Sequence, residues 1–375
     1  MDELVDIASA RVLFRADASI DIGTGHVMRC LTLADALREQ GVECAFICRE
    51  HPGHLLEEIA CRGHAPLALP PANGPLSQDG PDHAHWLGTD WQTDAVQTLG
   101  LARGLRPDWI VVDHYALDIH WQRAVRARAG RILVIDDLAD RAHDCDLLLD
   151  PSLGRVAADY EQLVPVDATM LLGPRFALLR PEFARLRADS LARRAAPKLR
   201  HLLITMGGVD KGNATGSVLE ALNACELPAD MRITVVIGPH SPWQAEVQTQ
   251  AGQMSIPTEV RVDVKDMARL MANCDLAIGA AGSTSWERCC LGLPTIQLVL
   301  ADNQLECATG FVKLGAVAGV SALTKLRAEL PDLISAMHSD RLRDMSARAA
   351  RICDGSGTPV TTQFLLSDED ARSDL

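Results

Sequence analysis

The chain has 375 residues, 47% of them hydrophobic but only 4% aromatic, with 36 basic against 50 acidic side chains and a net charge of -14. That length and apolar content support two domains of ordinary size with aliphatic cores. The acidic balance argues against a nucleic-acid binder, and an anionic ligand has to be drawn in by local groups because the overall field opposes it.

Residues 1–6 are acidic and lack the basic start and apolar stretch of a signal peptide. No apolar run reaches the roughly 20 residues that span a bilayer. The expectation is a cytoplasmic protein without stable membrane insertion. Short apolar runs predict strands at 12–15, 44–47, 109–112, 132–135 and 147–149, then at 202–205, 233–237, 258–262, 276–278 and 295–299. Helical patterns lie between them, for example at 27–40 and 213–224. Strands apolar at nearly every position are those covered by helices on both faces, so the alternation predicts α/β domains with parallel sheets. Residues 66–81, rich in Pro, Gly and small polar types, read as a surface loop. Residues 175–200 hold eight basic and two acidic side chains. They are expected to carry the crossing between domains on a solvated face, with a contact to anionic lipid or a partner as the lesser reading. The predicted organisation is an N-terminal domain over 1–180, a basic linker over 181–199, a C-terminal domain over 200–366 and a disordered acidic tail over 367–375. The last helix is free to pack back on the first domain. The 11 cysteines form no CxxC pair and no zinc spacing, which fits reduced, buried thiols.

Two glycine-flanked turns stand out, each after a predicted strand and before a predicted helix. The first runs Asp21-Ile22-Gly23-Thr24-Gly25-His26-Val27-Met28-Arg29, and the second Gly279-Ala280-Ala281-Gly282-Ser283-Thr284-Ser285-Trp286-Glu287. Bare glycines let backbone approach a ligand, and a helix N-terminus offers free N–H groups suited to phosphate. Two such turns on separate halves suggest a nucleotide-linked substrate in a cleft between domains. His26 at the start of a helix is either a general base, kept neutral by the helix N-terminus, or a cap that touches phosphate. Asp17 either orients that imidazole or a water, or simply forms the turn. Arg29 is a substrate contact or only a salt-bridge partner. In the second turn Gly282, Ser283, Thr284 and Ser285 fit an anion site with hydroxyl donors. Glu287 suits a ribose diol better than a plain complement to the helix dipole. Asn303 and Gln304 can donate and accept together, as sugar hydroxyls or an acetamido group require, or else close a loop. Val111-Val112-Asp113-His114-Tyr115 ends a strand at the edge where open α/β sheets bind ligands, so Tyr115 can bond a sugar or position a water. Asp136-Asp137 close the same edge or cap a helix. His83 and His85 lack a further metal partner, and no metal or cofactor is expected. Met28 occupies the third glycine position of an NAD fingerprint, and no GxxxxGK[ST] is present, which excludes both nucleotide motifs.

The ordered set GTGHVMRC, VVDHYALD, LLGPRFALLRPEF, MGGVDKGNAT and AGSTSWERCCLGLPT…ADNQ resembles the PseG-type UDP-sugar hydrolases of pseudaminic acid biosynthesis, over most of the chain from about Arg11 onward. The resemblance implies two Rossmann-like domains with parallel sheets facing a cleft, the glycosyltransferase-B arrangement also found in the MurG transferase, with UDP on the C-terminal domain. It implies hydrolysis of UDP-2,4-diacetamido-2,4,6-trideoxy-β-L-altropyranose to UDP and the free sugar, by a monomer or weak oligomer. Carried over by motif, His26 is the base and Tyr115 lies near the attacking water. Glu287 contacts the nucleotide, and Asn303 and Gln304 form the terminal polar element. Gly23, Gly25, Arg29, Arg180, Gly207 and Gly208 join the substrate-binding set. The sequence departs from the pattern at Pro151-Ser152, Val209, Lys211 and Phe176. A transferase of the same fold and a non-catalytic nucleotide-sugar binder are the alternatives.

Overall fold

Two parallel sheets organise the chain. The computed structural model describes residues 11–71, 80–301 and 304–367, and the chain divides into two units, Met1–Leu178 with Gly357–Leu375, and Leu179–Ser356. In chain order the first unit contains β1 (Val12–Ala16), α1 (Gly25–Glu39), β2 (Cys44–Arg49), α2 (Leu56–Cys61), β3 (Ala65–Leu69) and α3 (Trp91–Leu101). It continues with β4 (Trp109–Asp113), α4 (Ile119–Val125), β5 (Arg131–Ile135), β6 (Leu147–Asp150) and β7 (Thr169–Leu172). The second unit contains α5 (Pro181–Arg193), β8 (His201–Thr205), α6 (Ala214–Leu222), β9 (Arg232–Ile237), α7 (Gln244–Gly252), β10 (Thr258–Val262) and α8 (Met267–Asn273). There follow β11 (Leu276–Ala280), α9 (Thr284–Cys290), β12 (Thr295–Leu298), α10 (Leu305–Lys313), β13 (Val317–Ser321), α11 (Leu326–Ser335) and α12 (Ser339–Ala349). The chain then returns to the first unit as α13 (Gly357–Leu366).

The sheet orders are β3-β2-β1-β4-β5-β6-β7 and β10-β9-β8-β11-β12-β13. Both are doubly wound, with the order reversing between β1 and β4 and between β8 and β11. Successive side chains on a strand point to opposite faces, so β1 splits its residues between two cores. Val12, Phe14 and Ala16 pack with α1 and α13, and Leu13 packs with Trp121 and Val125 of α4. Phe14 stacks on Phe46 of the neighbouring strand, with ring centroids 4.6 Å apart. Tertiary contact carries α1 more than a cap does, because no side chain caps its N-terminus while Val27, Leu31, Ala34 and Leu37 are buried. Helix α13 is tied to the first unit by Phe364 and Leu365, and Trp109 Nε1 donates to the Leu365 carbonyl at 3.0 Å.

Two expectations are corrected. Residues 66–81 do not begin as a loop: Pro66 to Leu69 belong to β3, an edge strand paired only with β2. An edge tolerates proline because one side of the strand needs no partner. Residues 181–199 are not a linker. Most of them form α5, whose basic side chains tie the second unit together. Arg187 donates to the carbonyls of Ala350 (2.6 Å) and Cys353 (3.1 Å), and Arg193 meets Asp275. Asn303 and the tail from 368 lie outside the described residues. Among the described residues no helix is long and apolar enough to cross a membrane. Of the cysteines, Cys61 is exposed, Cys225 and Cys307 are half-buried and the other eight are buried.

Candidate active site

Ligands of open α/β sheets bind beyond the carboxyl ends of the strands, where the strand order reverses. In the first unit that point lies at the ends of β1 and β4, whose register pairs Ala16 with Asp113. The turn after β1 is shaped by Ser19. Its hydroxyl accepts from the N–H groups of Asp21 (3.1 Å) and Ile22 (2.9 Å), and its backbone pairs both ways with Gly23, at φ +82°. This delivers Gly25 and His26 as the first residues of α1.

His26 is buried, and its Nδ1 lies 2.6 Å from Asp113 Oδ1. A carboxylate there accepts a hydrogen bond from Nδ1–H and leaves the Nε2 lone pair free. Nε2 has no hydrogen-bond partner among the described residues. Arg29, one helical turn on, grips both oxygens of Asp113 (2.6 and 2.7 Å) and both oxygens of Asp137 (3.0 and 2.8 Å). Tyr115 donates to Asp137 at 2.8 Å, and its ring meets His26 edge-on with centroids 4.6 Å apart. These contacts form a closed circuit from His26 through Asp113, Arg29, Asp137 and Tyr115 back to His26. Burial opposes ionisation of Asp113, but the charges and hydrogen bonds of Arg29 and His26 outweigh it and hold the carboxyl well below its usual range. Burial and the Asp137 charge push the Tyr115 phenol upward, so it stays a donor.

Asp17 is not part of this circuit. Its carboxylate is fully buried, takes both guanidinium arms of Arg15 (2.7 and 2.9 Å) and accepts the Arg49 backbone N–H (2.7 Å). His114 Nε2 lies 3.3 Å away. Asp94 completes that ion network beside Arg15, Arg49 and Trp121. Asp113, not Asp17, therefore orients His26. Of the pair Asp136-Asp137, only Asp137 joins the site. Asp136 is held by Arg141 (3.0 Å) and Tyr160 (2.8 Å). Sequence reading also passed over Trp86. Its ring stacks with Tyr115 at 5.6 Å, lies tilted against His83 at 4.5 Å, and is 6.5 Å from His26. Among the described residues no three His, Cys, Asp or Glu side chains gather to hold a metal.

In the second unit the strand order reverses at β8 and β11. Gly207, at φ +94°, and Gly208 follow β8, and Gly282 to Ser285 follow β11. The two helix starts differ. Asp210 accepts from Ala214 and Thr215 and Asn213 accepts from Gly216, so side chains fill the α6 N-terminus. At α9 no side chain caps Ser283, and the N–H groups of Gly282, Ser283 and Thr284 meet no acceptor among the described residues. The hydroxyls there are less available than expected. Arg288 is buried and donates to the Ala280 carbonyl (2.7 Å), Ser285 Oγ (3.0 Å) and Thr284 Oγ1 (3.2 Å), while Gln297 donates to Ser285 Oγ (2.9 Å). A buried guanidinium with no carboxylate needs those acceptors, and burial draws it down to about 10. Ser285 therefore faces inward and Ser283 remains exposed. Burial raises the Glu287 carboxyl above its usual range against the pull of Arg180, whose Nη2 lies 3.7 Å away. Gln304 starts α10, and its Oε1 accepts from the Leu300 N–H at 3.1 Å.

A glycosyltransferase family 28 C-terminal domain matches residues 203–356. The chain is 26% identical over 306 residues to a protein of Campylobacter jejuni named UDP-2,4-diacetamido-2,4,6-trideoxy-beta-L-altropyranose hydrolase, covering 81% of this chain and 97% of that one. It is 23% identical over 307 residues to an uncharacterized protein of Methanocaldococcus jannaschii, where it spans 58% of the longer relative. The crystal structure of Acinetobacter baumannii MurG superposes with a TM-score of 0.67 at 16% identity, covering 95% of this chain and 99% of that one. The fold is that of the glycosyltransferase-B superfamily, with two Rossmann-like halves built on parallel sheets. The chain is also 28% identical over 196 residues to the spore coat polysaccharide biosynthesis protein SpsG of Bacillus subtilis, covering 52% of this chain and 57% of that one.

Proposed function

We propose that the protein hydrolyses a UDP-linked 2,4-diacetamido-2,4,6-trideoxy sugar to UDP and the free sugar. The observation that carries this reading is the His26–Asp113 pair at the switch point of the first unit, with Nε2 left to take a proton. Sequence likeness to the Campylobacter hydrolase along nearly its whole length supports the substrate class. In this reading His26 Nε2 removes a proton from water as the water oxygen bonds to the anomeric carbon. The bond from that carbon to the UDP oxygen breaks, UDP leaves as the anion, and the configuration inverts. Asp113 stabilises the imidazolium that forms, and Arg29 with Asp137 keeps Asp113 in place. Tyr115 holds the face of the imidazole.

The free N–H groups of Gly282, Ser283 and Thr284 receive the β-phosphate, where leaving-group charge grows. Glu287 accepts from the ribose diol, with Arg180 beside it, and Gly207, Gly208 and Gln304 complete the substrate contacts. UDP is a good leaving group, so no strong acid and no metal enters the scheme. Full activity in EDTA is expected. Glu287→Ala should mainly weaken UDP binding, and unchanged UDP affinity in titration calorimetry would remove the ribose role.

The family 28 domain and the likeness to MurG favour one alternative, a transferase that replaces water with an acceptor hydroxyl. Turnover in ¹⁸O-water without acceptor separates the two. Label in the free sugar and none in UDP is expected. Label in the phosphate would mean P–O cleavage and overturn the role of His26. No turnover at all would put the transferase first.

A further inference from the structure

The carboxyl edges of both sheets are occupied by the residues above. The amino edge of the second sheet holds a separate feature. There the starts of β8 and β9, the residue before β11 and the carboxyl ends of α5 and α8 surround a cavity of about 500 Å³. All strands of this sheet run parallel, so the cavity lies at the opposite end of the strands from Gly207 and Gly282.

Its lining carries five cationic side chains, Arg193, Arg194, Lys198, Arg200 and Arg232, and two carboxylates, Asp230 and Asp275. The carboxylates are already committed. Asp275 pairs with Arg193 at 2.5 Å and accepts from the backbone N–H groups of Arg200 (2.9 Å) and His201 (2.8 Å). Asp230 pairs with Arg200 at 2.8 Å, both half-exposed. Three cations remain without a carboxylate. Lys198 makes no hydrogen bond or ion pair among the described residues. Arg232 donates only to Nδ1 of His201 (3.1 Å), and His201 Nε2 in turn bonds Thr234 Oγ1 (2.8 Å), an arrangement that keeps the imidazole neutral. Arg194 is 3% exposed. Its two Nη atoms bond carbonyls at the ends of α5 and α8, including Met271 (2.9 Å) and Cys274 (2.9 Å), but its buried Nε has no partner. Helix carboxyl ends carry partial negative charge that offsets this one guanidinium. No carboxylate pairs directly with Lys198 or Arg232 among the described residues; Glu259 on β10 acts on Arg232 but is itself paired with Arg261 at 2.8 Å, in a chain whose net charge is -14.

We propose that this cavity is an anion site that takes a phosphate group through Lys198 and Arg232, with Arg194 behind them as a fixed buried cation. The group belongs either to a small soluble phosphate compound or to a lipid headgroup. The recognition chemistry is the same, a doubly charged oxyanion meeting an ammonium and a guanidinium.

The test is calorimetric titration of the intact protein with pyrophosphate at low ionic strength, where surface charge is least screened. The wild type is compared with Lys198→Gln and with Lys198→Gln/Arg232→Gln. A control, Lys325→Gln/Arg327→Gln, removes the same charge from an exposed part of the same unit. Lys198 has no bond in the fold to lose, so its single variant separates binding from folding. A pyrophosphate-binding component that the double variant weakens by about tenfold or more, and the control does not, is expected. Cosedimentation of the wild type, but not the double variant, with phosphatidylglycerol vesicles assigns the lipid source. Pyrophosphate binding without cosedimentation assigns the soluble one. Binding of neither probe, or binding that the control weakens as much as the double variant does, overturns the proposal.

Discussion

The Asp113 carboxylate takes hydrogen bonds from His26 and from two nitrogens of Arg29, and that shared load fixes which imidazole nitrogen can act as a base. An amide in its place can turn its N–H toward Nδ1, which sends the imidazole proton to Nε2 and removes the base. His26→Asn and Asp113→Asn should therefore each lower kcat by about 10²–10⁴-fold while UDP affinity, which the proposed reading assigns to the other unit, changes little. Steady-state kinetics with separate UDP titrations check this. Normal turnover in a folded Asp113→Asn protein would take Asp113 out of the mechanism. A different residue tests stability alone. Asp94 is fully buried and accepts from Arg15, Arg49 and Trp121. Asp94→Ala leaves the buried Arg49 guanidinium without a carboxylate and Arg15 with Asp17 alone, and breaking a buried pair from one side costs about 3–5 kcal/mol. A clear drop in the urea midpoint of the first unit is expected, and a loss below about 1 kcal/mol would mean that the network is not truly dry.

At the level of elements, the turns around the second site make opposite demands on glycine. A Cβ on Gly238, at the end of β9, would overlap the Gly208 carbonyl, so Gly238→Ala must push the loop after β8 out of place. A Cβ on Gly282 meets nothing within 4 Å. Gly238→Ala should cost stability and weaken UDP binding together, by about 10- to 100-fold in affinity if the loop shifts by an ångström. Gly282→Ala should leave the melting temperature alone and still weaken UDP, because no protein atom lies in that space and the proposed reading puts the β-phosphate there. Unchanged UDP affinity in Gly282→Ala would move the phosphate elsewhere. The same local character explains what sequence could show. Strand, glycine turn and helix at His26 and at Gly282 are written within a dozen residues, and the central strands are apolar at nearly every position because both faces are covered. β3, β7 and β13 were not foreseen, and all three are edge strands, where one free side relaxes the demand for continuous apolar residues. The partner of His26 was not legible either, because Asp113 is 87 residues away. It arrives only through the pairing of β1 with β4, which is a property of strand order rather than of any motif.

Across the whole molecule, buried charge is distributed unevenly, and acid should expose the difference. Asp17, Asp94, Asp113 and Asp136 are all fully buried and all lie in the first unit. Burial by itself would raise each carboxyl, but neighbouring guanidinium charge, from Arg15, Arg29 or Arg141, outweighs it, and each is held below its usual range. One carboxyl of that unit goes the other way, since burial and Asp137 raise Asp150. In the second unit the largely buried Glu287 is raised, chiefly by burial. The signs then follow from linkage. A carboxyl whose folded value is depressed contributes stability in full above its unfolded value, near 3.9 for Asp, and loses it as pH falls toward the folded value. A raised carboxyl costs stability at neutral pH, and acid relieves that cost. Four fully buried depressed groups against one raised make the first unit the acid-sensitive one, whereas in the second unit the depressed carboxyls Glu259, Asp266 and Asp354 are exposed, where such pairings contribute little, and Glu287 is shifted the opposite way. Stepwise acidification below about pH 4, followed by pulse labelling of backbone amides at a fixed pH, should therefore show β1 and β4 losing protection before β8 and β11. Simultaneous loss would mean that the two units unfold as one, and the reverse order would mean that the Arg15, Arg29 and Arg141 pairings do not govern the acid limit.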